Sequence, residues 1–372
     1  MKKLILLVIP AFIFAQNLKS LIEFAEQNNN LVIAGTLNQE AQNKNIDSKK
    51  SAYLPTIDVG AYYQSLEDKT PTQAGNIYSG YAKVGFDIYD GGKKSSLLEQ
   101  AKNEHTARKH DVSEIKKSLA LDITKDFYGV KSLNASLAAK EDAVKSLQEQ
   151  LARIKKYYEA GLATKDDIDR LQSAYDTNIY ETESLKLRIL TTMKSLELKV
   201  GKKIDTLDDS SFKELVHEEF ENSDAVNSLM AKERALMSSA DSIESAYYPQ
   251  IKVEDTYSLY GYDRTDTLHP QGLDNQNKIM LSANMRLFDY GTLSDAKQAV
   301  AISSQALGSE VQYKIKEQKM QYELSLARID TSKIKIKSAS SALAAAQSAF
   351  KTINEKYNAG IVDYVIYLDS LT

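Results

Sequence analysis

One helix-breaking phrase occurs twice in this chain, and its repetition constrains the fold more than any other feature. Residues 157–169 read YYEAGLATKDDID and residues 356–370 read KYNAGIVDYVIYLDS. Tyr158 and Tyr357 are 199 residues apart, as are Gly161 and Gly360. Two further landmarks recur in the same order. Asp47–Pro55 (DSKKSAYLP) returns as Asp241–Pro249 (DSIESAYYP), and Phe86–Gly92 (FDIYDGG) returns as Met285–Gly291 (MRLFDYG). Three landmarks in constant order mark a duplicated unit, so the fold must be built from two copies of one structural theme.

Each copy has the same internal order. A helical stretch gives way at Pro55 or Pro249, because proline disfavours helix at the residue before it. Period-two alternation follows. Ile57, Val59, Ala61 and Tyr63 alternate with Asp58, Gly60, Tyr62 and Gln64, and after the turn-rich stretch EDKTPTQAGN a second strand sets Ala82, Val84, Phe86 and Ile88 against Lys83, Gly85 and Asp87. In the second copy Ile251, Val253, Tyr257 and Leu259 alternate with Lys252, Glu254, Thr256 and Ser258. A fourth strand carries Ile279, Leu281, Ala283, Met285 and Leu287. Such runs predict strand pairs at about 56–66 with 77–90 and about 250–262 with 277–289, of a length that suits a tilted membrane-spanning strand.

Long helices come next. Val130, Leu133, Leu137, Val144, Leu147, Leu151, Ile154 and Tyr158 fall at three- and four-residue steps, with Lys140 in one slot; Ile336, Ala339, Leu343, Ala346, Phe350, Ile353 and Tyr357 follow the same spacing. Sustained heptads predict coiled-coil packing, and a helix from Gly92 to Tyr158 would be on the order of 100 Å long. Gly161 and Gly360 end these helices by accepting the left-handed conformation. After Gly161, Ile168, Leu171, Tyr175, Leu185, Ile189 and Leu196 resume the pattern, so each glycine marks the tip of a helical hairpin. About 40 residues follow Gly161 before Gly201 but only 12 follow Gly360. The expectation is a chain cut short at its C-terminus.

The N-terminus, MKKLILLVIPAFIFAQN, joins a basic pair to a short apolar run and the small residue Ala15, which predicts a signal peptide over 1–15. The remaining organisation reads as repeat 1 over 16–200, a connecting segment over 201–222 and repeat 2 over 223–372. No later apolar run reaches the ~20 residues of a membrane helix. With no cysteine among 372 residues, disulfides, thiolate metal sites, thiol nucleophiles and a lipid-modified cysteine are excluded. A net charge of −4 gives no reason to expect nucleic acid as a partner.

Enzyme signals are weak. DGGKKS lacks the earlier glycine of a phosphate loop, Asp87 standing there, and Lys94 fills its Ser/Thr slot. Of the four histidines, His105, His110, His217 and His269, the first two are five apart and diverge on a helix, so they read as solvated surface rather than a metal site. No Ser/His/Asp set follows from spacing, so no enzyme, cofactor or metal is expected. Tyr53, Tyr62, Tyr63, Tyr78, Tyr81, Tyr247, Tyr248 and Tyr260 near strand ends are candidates for an interfacial aromatic belt.

Four amphipathic strands cannot close a barrel alone, and open edges in lipid would leave backbone groups unsatisfied. Strands must therefore be pooled between chains. With AYLP and AYYP before strands, YDGG and FDYG at corners and the two AG tips, the sequence resembles the TolC-like outer-membrane efflux proteins across nearly the whole mature chain. The resemblance implies an α+β membrane protein. In it a homotrimer shares a 12-stranded outer-membrane β-barrel, four strands per chain, continued by a periplasmic α-helical coiled-coil barrel. It implies an exit duct for small molecules handed over by an inner-membrane transporter and a periplasmic adaptor (membrane fusion) protein, with outer-membrane lipid around the barrel. A type I protein-secretion duct uses the same channel, and a secreted coiled-coil adhesin or scaffold accounts for the heptads but not for the strand pairs. Residue by residue, the resemblance implies a tip gate of Asp369, Tyr357 and Asp167. Val362 stands where the family has an arginine, and Ile366 where it has a second aspartate.

Overall fold

The computed structural model describes residues 17–67, 75–210, 220–262 and 273–371. The expected signal peptide, most of the first strand-pair loop, His217, His269 and part of the connecting segment lie outside the described residues. Helices α1 (Leu18–Asn28) and α2 (Asn30–Ser51) lead into strands β1 (Thr56–Ser65) and β2 (Asn76–Asp90). Helices α3 (Lys93–Glu159) and α4 (Lys165–Val200) follow. The second copy gives α5 (Asp224–Glu244), a 3₁₀ turn at Ser245–Tyr247, β3 (Gln250–Tyr262), β4 (Asn275–Asn284), α6 (Thr292–Asn358) and α7 (Tyr364–Leu371). These elements divide between two compact units, one formed by Ala34–Glu114 with Asn222–Glu317, the other by the described residues of 1–33, 115–221 and 318–372.

The first unit holds a single antiparallel sheet in the order β1-β2-β3-β4. Its register sorts the two faces. Ile57 pairs with Val84, Val59 with Ala82, Phe86 with Val253, Val253 with Leu281 and Ile251 with Ala283, so these apolar side chains share one face. That face is open: Val59 is 81% exposed and Leu281 69%. On the other face Asp58 pairs with Lys83, Lys83 with Thr256 and Thr256 with Lys278. There Glu254 takes ion pairs from Lys252 at 2.8 Å and Lys83 at 3.6 Å, while Ser79 and Ser258 are buried.

Three strand details differ from the sequence expectation. A bulge between Asp87 and Tyr89 leaves Ile88 out of the ladder and pairs Tyr89 with Ile251, so the alternation read through Ile88 shifts by one there. Strand β4 stops at Asn284 rather than 289, because its last partner, Gln250, is the first residue of β3 after Pro249. Asp255, absent from the expected pattern, stands in the apolar row between Val84 and Ile279.

The tyrosines gather mainly at the strand ends. Tyr63 and Tyr78 pack across β1 and β2 with ring centroids 5.0 Å apart, and Tyr260 stacks on Tyr262 at 6.4 Å. Near the opposite ends, Lys94 lies 5.9 Å over the Tyr53 ring and Tyr247 donates to Asp289 at 3.4 Å. Tyr81 is instead mid-strand, in the row of Gly60 and Ser258, where its ring occupies the space beside the glycine.

The strand-to-helix corners are the same device twice. Asp90 accepts from the backbone of Gly92 at 3.1 Å and Lys94 at 2.8 Å; Asp289 accepts from Gly291 and Leu293, both at 3.1 Å. Both residues after each aspartate have positive φ, Gly91 (70°) and Gly92 (88°) in one corner and Tyr290 (56°) and Gly291 (90°) in the other. The DGGKKS glycines therefore turn the chain from strand to helix. Further along α3, His110 is not simply solvated: its Nδ1 lies 2.8 Å from Asp224, which also accepts from Ser113 at 2.7 Å. On the same helices, burial works to raise the Asp111 carboxyl. The hydrogen bond from Ser228 at 2.5 Å and the charges of Lys232 and Arg108 outweigh it and hold the group below the usual carboxylate range.

In the second unit Leu21, Ala25, Ile123, Phe127, Leu196 and Val200 form a buried core among α1, α3 and α4. Asn29 separates α1 from α2. It accepts from the Leu31 amide at 2.8 Å and donates to the Lys199 carbonyl at 2.7 Å. The α3/α4 hairpin is zipped antiparallel along its heptad positions. Lys140, the polar slot, reaches Asn178 at 3.3 Å and Glu181 at 2.5 Å.

Candidate functional site: the paired hairpin tips

Both long helices end in the same hydrogen-bonded loop. In the first, the Gly161 amide donates to Tyr158 at 3.0 Å and the Leu162 amide to Tyr157 at 2.7 Å. In the second, Gly360 donates to Tyr357 at 3.0 Å and Ile361 to Lys356 at 2.9 Å. Gly161 and Gly360 share a φ of +73°. This six-to-one closure with a left-handed residue is the Schellman end of a helix, which favours glycine because it carries no Cβ.

The helices that restart after the tips are capped differently. Thr164 and Asp167 form a reciprocal box: the Thr164 amide donates to Asp167 at 2.8 Å, and the Asp167 amide donates back to the Thr164 hydroxyl at 3.3 Å. At the matching place in the second hairpin stands Asp363, which accepts from Val365 at 2.8 Å and Ile366 at 3.3 Å. Sequence reading missed Asp363; an acid three residues past a helix-ending glycine was the available signal.

Of the expected gate residues, Asp167 thus serves its own helix start, and Asp369 is exposed on the last turns of α7. Tyr357 stacks on Tyr367 with centroids 4.8 Å apart and an interplanar angle of 25°. Phe350 approaches the other side of the cluster at 5.9 Å from Tyr367. Tyr367 is only 2% exposed and was not singled out from sequence, although it holds the heptad position occupied by Ile168 in the first hairpin. Burial is the main cause lifting the Tyr357 phenol above its ordinary range; the charge of Arg153 pulls the other way. Arg153, on α3, places its guanidinium 5.8 Å over the Tyr357 ring and donates to the Asn358 side chain at 2.9 Å. Leu371 packs against the first-hairpin cluster of Leu147, Leu151, Ile154 and Leu171. Among the described residues no group of three or more His, Cys, Asp or Glu is placed to hold a metal, and no helix is long and apolar enough to cross a membrane.

Residues 21–202 match the family described as outer membrane efflux protein. Outer membrane protein TolC of Vibrio cholerae serotype O1 is 28% identical over 168 residues, a match spanning 43% of this chain and 38% of that relative. The fold resembles the outer membrane channel CmeC of Campylobacter jejuni (TM-score 0.81, 13% identity, 95% of this chain and 79% of that one). It also resembles the outer membrane protein VceC of Vibrio cholerae (TM-score 0.77, 15% identity, 95% and 89%). Over these residues the chain is similar to the outer membrane efflux protein family, among whose relatives are the TolC proteins of the outer membrane.

Proposed function

We propose that the protein is the outer-membrane exit duct of a tripartite efflux system, a homotrimer that passively passes small molecules received from an inner-membrane transporter through a periplasmic adaptor. The observation that carries this reading is the sheet. Its apolar face is exposed, its other face is charged, and β1 and β4 are edge strands. An open edge in hydrocarbon costs several kcal/mol per unsatisfied group. Joining β1 of one copy to β4 of the next removes every edge, and three copies give a ring of twelve strands. Lipid then meets the Val59 and Leu281 face, and the Lys83, Lys252 and Glu254 face lines the water-filled interior.

In this reading the helical hairpins stand in the periplasm and their tips form the entrance. Three copies of Asp369 around a narrow axis would focus negative potential and favour cations in the mouth. Tyr357 and Asp167 help hold the tips closed. The full-length protein is expected to run as a trimer from outer-membrane extracts and to form ion-conducting channels in planar bilayers. Asp369→Ala should weaken cation selectivity and block by multivalent cations. Deleting the gene should sensitise cells to small toxic compounds; loss of secretion of a large protein with unchanged drug sensitivity would favour the secretion duct instead. A soluble monomer that forms no channel would overturn the reading.

A further inference from the structure

We propose that the cavity between the start of α3 and the helix-side ends of β2, β3 and β4 is a binding site for small organic carboxylates on their way through the duct. The proposal rests on the duct reading above, which turns the polar face of the sheet to the interior. The cavity measures about 340 Å³, within the ~300–1,000 Å³ range of small-molecule pockets. Asp87, Lys252 and Ser282 form one row of its floor, and Asp90, Gln250 and Asn284 form the next. The bulge in β2 brings the two rows to one face. Residues three apart on a regular strand point to opposite sides, and the extra residue returns Asp90 to the side of Asp87. Lys93 and Lys94, in the first turn of α3, line the remaining wall.

The acids of this cavity are committed and one base is not. Asp90 already accepts from the Gly92 and Lys94 amides, and Asp87 is paired with the Lys94 ammonium at 3.1 Å. Lys252 is held by Glu254 at 2.8 Å. Lys93 is exposed and has no ion pair among the described residues, and the Gln250 and Asn284 side-chain amides make no hydrogen bond among them. One ammonium and two neutral amide donors therefore face an incoming ligand, a donor set that suits a carboxylate. The duplication supplies an internal control. Asp289 builds the second corner with the same backbone bonds, yet Thr292 and Leu293 stand where the first corner has Lys93 and Lys94, and Arg286 stands where it has Asp87. The turn itself does not require the lysines. In a trimer three such sites would ring the interior with positive charge available to anions.

Saturation-transfer NMR on the full-length protein in detergent tests the site, with three probes of one carbon skeleton: glutarate, neutral glutaramide and dicationic 1,5-diaminopentane. Glutarate should bind, and the other two should bind several-fold more weakly. Lys93→Gln changes an exposed position and leaves the Asp90 cap in place; it should weaken glutarate several-fold. Lys109→Gln, at an exposed lysine further along α3, should leave glutarate binding unchanged. In planar bilayers glutarate should interrupt the wild-type single-channel current, and should do so less in Lys93→Gln. Equal affinity for the three probes, or wild-type affinity for glutarate in Lys93→Gln, would overturn the site. Glutarate that binds without touching the current would overturn its place on the path. Wild-type protein that forms no channel would strike the duct reading instead.

Discussion

The two hairpins begin from the same sequence and end in different environments. In the first, α4 runs 36 residues back along α3, and Leu147, Leu151 and Ile154 are buried against Leu171. In the second, only Tyr364–Leu371 of the return helix is described, and along the matching seam of α6 Ile336 is 70% exposed and Leu343 60% in the single chain. Near-identical Schellman loops close both helices, so the tip is a local device set by an Ala-Gly pair. The seam is different, because a heptad stripe becomes a core only where another helix lies against it. In the second hairpin the burial is confined to the last turns, where Phe350, Tyr357 and Tyr367 cluster and Leu371 leans on the first hairpin.

The sharpest way to break this comparison is to truncate matched seam residues. Leu151→Ala removes a side chain from a closed cluster and should cost about 2–5 kcal/mol. Leu343→Ala, tested in the same chain, should stay within about 0.5 kcal/mol, as for an exposed position. Denaturant unfolding followed by helix circular dichroism of the detergent-solubilised protein measures both. Equal costs would mean that the α6 seam is covered after all.

The strand pairs, by contrast, should behave alike. Val84 lies in the first copy and Leu281 in the second, yet they share one exposed apolar face. Arginine at either position should cost about 2–4 kcal/mol near the bilayer midplane. A lipid-phase photoprobe should label both strands. Labelling of one pair alone would separate the two copies where the sheet register joins them.

Much of this was legible in the sequence, and the misses share a cause. The strand pairs, the looped tips and the α3 seam follow from periods of two and seven and from glycines, all local signals. Ile88, the end of β4 and the exposed seam of α6 depend on what lies opposite: a bulge against β3, the first residue of β3, and whether another helix lies against α6. Tyr367 and Arg153 escaped notice because their partners are on another element. His110 reads as surface until Asp224 is brought to it from α5.

The corners carry the next smaller contrast. Gly91 and Tyr290 occupy equivalent left-handed positions, but a Cβ on Gly91 would collide with the Ser245 carbonyl, whereas Tyr290 is 90% exposed. Gly91→Ala should therefore add that overlap to the ~1–2 kcal/mol of left-handed strain. Tyr290→Gly relieves the strain but frees the unfolded backbone, and the two effects, each about 1 kcal/mol, should nearly cancel. Melting temperatures of the two variants, side by side, check the ordering; a larger change for Tyr290→Gly would mean that its ring contact with Phe288, centroids 4.6 Å apart, outweighs the strain.

The smallest expected difference lies in the two caps, and its direction is the reverse of what the motif names suggest. The first tip has the complete capping box, but its two halves are carried by different side chains. Thr164→Ala loses the bond from the Asp167 amide and leaves the Asp167 carboxylate on the Thr164 amide, so the cost should be near the low end of the ~0.5–2 kcal/mol range for caps. Asp363 alone accepts from Val365 and Ile366 and also brings negative charge to the positive end of α7. Asp363→Ala removes both bonds and the charge, worth a further ~0.3–1 kcal/mol. Amide hydrogen exchange resolves the two locally: the Val365 and Ile366 amides should lose more protection in Asp363→Ala than the Asp167 amide loses in Thr164→Ala. Greater loss at Asp167 would show that the reciprocal box, rather than the single acid, is the stronger cap.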